Sequence, residues 1–100
     1  MKNEFNKTVK KRASNLFKTI SDPTRMNIIY LLKDQELSVG EIVQELTISQ
    51  SAISHQLRVL RDNNIVSYEK RGKEVFYKLA DNHVYTIINQ AIEHVLEEKL

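Results

Sequence analysis

Two of the chain's three histidines, His83 and His94, stand eleven residues apart in the segment DNHVYTIINQAIEHVLEE (81–98), and each has a carboxylate nearby, Asp81 and Glu97. Imidazole nitrogens and carboxylate oxygens form a borderline-to-hard donor set that suits tetrahedral zinc and tolerates cobalt. Eleven helical residues rise about 16 Å, whereas donors on one zinc ion lie about 3 to 3.5 Å apart, so the two histidines cannot share an ion within one chain. Eleven is also close to a whole number of turns, so both point to the same side, on a stripe with Ile87, Gln90 and Glu97. A second copy laid antiparallel across a two-fold axis near residues 88–89 brings Asp81 and His83 of one chain to His94 and Glu97 of the other. The symmetry then makes a second identical cluster, whose two carboxylates neutralise a divalent cation. The same pattern also describes an amphipathic helix whose histidines flank its apolar face, and pattern alone leaves both readings open.

A second constellation precedes it. Residues 50–64, QSAISHQLRVLRDNN, begin with the short polar side chains of Gln50, Ser51 and Ser54, followed by His55, Gln56, Arg58 and Arg61. When a helix enters the major groove, its N-terminal side chains reach base edges and flanking basic groups contact phosphate. Gln50 suits adenine, and the serines serve any base or phosphate. The alternative is a first turn that is polar because it is exposed. Shortly afterwards comes Lys70-Arg71-Gly72-Lys73, a basic turn suited to phosphate, or else an ordinary solvated hairpin tip. The order and short separation of the two features are what a winged helix-turn-helix requires.

The elements that position these groups follow from periodicity and caps. Phe5, Val9, Ala13, Leu16, Phe17 and Ile20 recur at spacings of three and four, which predicts a helix over 5–20. Asp22 and Pro23 open a second helix running to about 33. Ser38 and Glu41 stand in capping-box register and predict a short third helix over 39–46. Thr47-Ile48-Ser49 makes a three-residue turn, and Ser49 caps the helix over 50–64, with Ile53, Leu57 and Leu60 facing inward. The period then changes to two around Arg71-Gly72, predicting strands at 65–69 and 74–79. Helical spacing returns over 81–98, with Val84, Ile88, Ala91, Ile92 and Val95 on one face. The expected fold is mainly α with a small β-hairpin (α+β), four helices, two strands and a final helix in a single domain.

Composition narrows the function classes. One hundred residues supply one core. Cysteine is absent, which excludes disulfides, thiolate metal sites and thiol redox sensing. No apolar run reaches the length of a membrane span, and the basic start is not followed by a signal-peptide block, so the chain reads as soluble and cytoplasmic. Net charge is only +2, but its distribution is uneven. Residues 1–20 carry six basic groups against Glu4, and residues 56–80 carry six against three acids, while 21–55 and 81–100 are each net −3. The hairpin and the second part of the reading helix lie in a basic zone and the histidine helix in an acidic one.

The segment from SDPTRMNIIYLLKDQELSVGEIVQEL through ISQSAISHQLRVLRDNNIVSYEKRGKEVFYKL resembles the ArsR/SmtB family of winged-helix, metal-sensing repressors of bacteria. The marks are DPTR opening the second helix, SQSAISHQLRVLRDNNIV for the reading helix, and the Arg-Gly wing. The resemblance implies a homodimer, joined through its first and last helices, that binds double-stranded operator DNA and releases it when an inducer arrives. It implies DNA contacts from Gln50, Ser51, Ser54, His55, Arg58, Lys70, Arg71 and Lys73. Asp-x-His and His-x-x-Glu, with ten residues between the histidines, match the inter-subunit zinc site of the family's zinc-sensing branch at Asp81, His83, His94 and Glu97. The branch's other site, built on cysteines before the turn, is missing: the corresponding segment is LSVGEIVQEL.

The leading expectation is therefore a zinc-responsive repressor with zinc as inducer and cobalt as a possible substitute. Its rivals are a regulator answering to cobalt, nickel or a small molecule, a dimer with purely structural zinc, and a zinc hydrolase. The hydrolase ranks low because four ligands close the coordination shell and no further acid or base accompanies the cluster.

Overall fold

The computed structural model describes residues 4–97. The first helix, α1 (Lys7–Ile20), is capped by Asn6, whose Oδ1 accepts from the Val9 amide at 2.9 Å. That cap places the start two residues later than apolar spacing predicts and leaves Phe5 outside the helix. Asp22 accepts from the Arg25 amide at 3.1 Å and Pro23 takes the first position of α2 (Pro23–Leu31). Ser38 has two jobs. It ends a short strand, β1 (Leu37–Ser38), and caps α3 (Val39–Leu46) through the expected capping box: its Oγ accepts from the Glu41 amide at 3.1 Å, and Glu41 accepts from the Ser38 amide at 2.8 Å. Thr47 then turns the chain with a φ of 52°, and Ser49 caps α4 (Gln50–Asp62) by accepting from the Ala52 amide at 3.2 Å.

Helix α2 ends at Leu31, two residues short of expectation, the last helix starts at His83, two residues late, and three further elements differ. Helix α4 stops at Asp62 rather than 64, because Asn63 caps it and Asn64 takes a left-handed φ of 59°, a conformation asparagine tolerates better than most residues. The Ile65 amide closes that end on the Leu60 carbonyl at 2.9 Å, so the hairpin begins one residue late, as β2 (Val66–Arg71) and β3 (Glu74–Leu79). Its register runs from Val66 opposite Leu79 to Arg71 opposite Glu74, with Gly72 supplying a φ of 62° at the turn. The third difference is β1 itself, which pairs Leu37 with Tyr77 and Ser38 with Phe76 to give an antiparallel sheet of order β1-β3-β2. Two residues are too few for alternation to show in sequence.

The last helix, α5 (His83–Glu97), packs on α2, with the Tyr30 and Tyr85 rings 5.4 Å apart. Residue 98, where sequence ends that helix, lies outside the described residues. Ile28, Ile29, Leu32, Ile42, Ile53, Leu57 and Leu60 are fully buried, so the core sits where α2, α3 and α4 meet. The apolar faces of α1 and α5 are only partly used. Ile20, Val84 and Ile88 are buried, but Phe17 is 55% exposed, Val95 51% and Leu96 78%. Among the described residues, no helix is long and apolar enough to cross a membrane.

Opposite faces of α4 should respond differently to truncation. Leu57→Ala leaves a cavity and should cost about 2–5 kcal/mol in urea unfolding. His55→Ala, on the exposed face of the same helix, should change stability by less than about 0.5 kcal/mol.

Candidate DNA-reading face and metal centre

Burial of Ile53, Leu57 and Leu60 fixes the rotation of α4, and that rotation decides what faces outward. Gln50, Ser51, His55 and Arg58 are exposed, and Ser54 is half-buried. A second restraint comes from Arg25, the arginine of the DPTR motif. Its Nε donates to Gln56 Oε1 at 2.7 Å and its Nη1 to the Thr19 carbonyl at 3.1 Å, so one side chain joins the end of α1, the start of α2 and the middle of α4. Sequence reading places Gln56 among the polar residues of the reading helix without its partner. The motif arginine was the available signal, but its target lies 31 residues away.

The hairpin stands beside the start of α4. A groove of about 360 Å³ lined by Ser38, Gly40, Gln50, Ser54, Lys73 and Tyr77 forms the seam between reading helix and wing. The fold thereby brings Gln50, Ser54 and Lys73 together. Lys70 and Lys73 are exposed at the wing. Arg71 lies beside them but is engaged with the carboxylates of Glu36 and Glu69.

At the other site, the structure brings together half of the four candidate ligands. Asp81 Oδ1 lies 3.4 Å from His83 Nδ1 and accepts from the His83 amide at 2.9 Å. The His83 side chain is 87% exposed. His94 and Glu97 are exposed at the far end of α5. Among the described residues, no three potential ligands gather. The chemistry of the pair fits zinc: a nitrogen and an oxygen 3.4 Å apart match the separation of two donors on a tetrahedral ion with bonds of about 2.0 to 2.2 Å. Asp81 and His83 would supply two donors to such an ion.

A core-anchored helix-turn-helix followed at once by a hairpin wing defines a winged helix-turn-helix protein. Residues 22–68 match the family model described as bacterial regulatory protein, arsR family. The chain is 38% identical over 84 residues to the transcriptional repressor SmtB homolog of Synechocystis sp., covering 84% of this chain and 64% of that protein's length. It is 38% identical over 85 residues to a Staphylococcus aureus cadmium resistance transcriptional regulatory protein, CadC homolog, covering 84% of this chain and 70% of that one. Among solved structures it superposes on the transcriptional repressor BigR from Xylella fastidiosa with a TM-score of 0.81 and 32% identity, covering 99% and 100% of the two chains. The chain belongs to the ArsR/SmtB family of transcription regulators. With that membership the hydrolase reading is set aside.

Base reading by the helix and phosphate contact by the wing would give separable outcomes in DNA-binding titrations. Lys73→Ala should weaken binding to all sequences alike. Gln50→Ala and Ser51→Ala should instead erode discrimination between a preferred and a mismatched site, by about 1–3 kcal/mol for each base contact removed.

Proposed function

We propose that the chain is a zinc-responsive transcriptional repressor of the cytoplasm that binds operator DNA as a homodimer in the metal-free state and releases it when zinc binds at Asp81, His83, His94 and Glu97. The observation that carries this reading is the geometry of α5. A zinc-compatible Asp81–His83 pair stands at its start, and a second histidine and carboxylate stand at its other end, on the same side by helical spacing. The exposed Phe17, Val95 and Leu96 support dimerisation through α1 and α5, since a second copy would cover them. The cadmium resistance regulator among the relatives supports a metal as inducer.

When bound, zinc would supply a tie across the two-fold axis between the start of one α5 and the end of the other. The chain's own residues carry the consequence to DNA. Val84, Tyr85 and Ile88 seat α5 on the body next to α2, and Arg25 of α2 holds Gln56 of α4, so the two helices move with the dimer contact. A two-fold dimer presents its reading helices about 34 Å apart, one turn of duplex, and a modest rotation about α5 takes both out of register. The acidic segment 81–98 is a poor DNA surface, so regulation acts through the relative placement of subunits.

Linkage makes this testable. Operator DNA should weaken zinc binding by the factor by which zinc weakens operator binding, typically about 1–3 kcal/mol of coupling. His94→Ala should abolish the zinc effect while leaving metal-free DNA affinity unchanged; a zinc effect of full size in that variant would exclude this cluster as the switch. Complementation tests the sharing of ligands between chains. A heterodimer of D81A/H83A with H94A/E97A contains one intact site and one site without ligands, and should bind one zinc tightly per dimer. Two tight ions in either parent homodimer would rule the shared site out.

A further inference from the structure

Arg71 closes β2 at the tip of the wing, where its charge suggests phosphate. In the fold its donors are already committed. Nη1 lies 2.9 Å from Glu36 Oε1 and Nη2 donates to Glu36 Oε2 at 2.9 Å, a two-pronged pair, while Nη2 also donates to Glu69 Oε1 at 2.6 Å. The guanidinium carbon sits 4.8 Å from the centroid of the Phe76 ring. Hydrogen bonds donated to Glu69 and then to Glu36 hold the guanidinium pKa above its ordinary value.

Glu36 is not part of the wing. It lies 35 residues upstream of Arg71, directly before β1. Strand β1 joins the sheet through only two residue pairs, Leu37 with Tyr77 and Ser38 with Phe76. The Glu36–Arg71 fork therefore adds a second attachment between the body and the far end of the hairpin. One guanidinium between two carboxylates is a net negative cluster and a poor receptor for phosphate. Lys70 and Lys73, on either side, are exposed and have no carboxylate partner among the described residues.

We propose that Arg71 is a positioning residue with Glu36 as its partner: the pair fixes the wing against the helix-turn-helix, and Lys70 and Lys73 make the phosphate contacts. This inference rests on the DNA-binding reading above. The effect of losing the pin is bounded by what an exposed ion pair contributes, so its removal should weaken DNA binding by about two- to fivefold.

The test is fluorescence anisotropy of the full chain with a labelled mixed-sequence duplex between about 50 and 200 mM salt. Wild-type affinity should fall linearly on logarithmic axes, and Lys73→Ala should reduce that slope by about 0.9 for each phosphate contact removed. Arg71→Ala, Arg71→Lys and Glu36→Ala should each lose the same few-fold affinity at an unchanged slope, because none removes a phosphate contact and lysine cannot form the fork. Amide exchange over residues 67–77, measured without DNA, should quicken in Arg71→Ala and Glu36→Ala. A slope for Arg71→Ala as shallow as that of Lys73→Ala, tighter binding by Glu36→Ala, or unaltered amide exchange would overturn the proposal. If wild-type protein shows no salt-dependent binding to duplex DNA, the DNA-binding reading itself fails, and this inference with it.

Discussion

The arrangement depends on burying one face of α4. Ile53, Leu57 and Leu60 have no measurable exposure, and they recur at spacings that force the intervening residues outward. A rotation of α4 by one residue would bring polar side chains into the core and turn leucine toward solvent, at a cost of several kcal/mol for each misplaced group. The reading face is thus set by what lies behind it. Arg25 reinforces the choice with a polar contact: its planar group satisfies both the Thr19 carbonyl and the Gln56 amide oxygen, so Gln56 is withdrawn from the reading surface.

From that anchored helix the wing inherits its place. Ile65 and Val66 are buried immediately after α4 ends, so β2 starts from the core and runs outward, exposed from Tyr68 to its basic end. The single buried polar side chain among the described residues, Ser38, serves both the short β1 and the first turn of α3. A residue that belongs to a strand and to a cap ties sheet geometry to the turn before α4. Reading helix and wing are consequently parts of one face, and the groove lined by Gln50, Ser54 and Lys73 is their common border.

What could be read from sequence divides along a physical line. Features set by neighbours within a turn or two were legible: the Ser38–Glu41 capping box, the Ser49 cap, the inward stripe of α4, and the hairpin with glycine at its turn. Features that join distant segments were not. Arg25 meets Gln56 across 31 residues and Arg71 meets Glu36 across 35, and no local period encodes such pairs. The charge of Arg71 was visible in the sequence while the carboxylates that meet it were not. On α5 the Asp81–His83 pair was legible because its members are two residues apart. The partners proposed for it belong to a second copy, and only the spacing of His94 and Glu97 along the same stripe points to them.

The two ends of α5 bear on how the molecule can respond to an inducer. Val84, Tyr85 and Ile88 hold its first half to the body, whereas Val95 and Leu96 leave its second half apolar and exposed. Such a helix is fixed to its own domain at one end and has surface to offer a second copy at the other. A ligand bridging the start of one α5 to the end of its symmetry mate acts between the anchored part of one subunit and the outlying part of the next. It has no lever on either domain's interior, which is close-packed and resists deformation. What it can bias is the angle between two rigid bodies, each carrying its reading helix as a fixed projection. An equilibrium between two such angles responds to a ligand only through the difference in its affinity for them. On the proposed reading, the strength of regulation would be governed by how differently the two arrangements present the four ligands, and not by how tightly the ion is held.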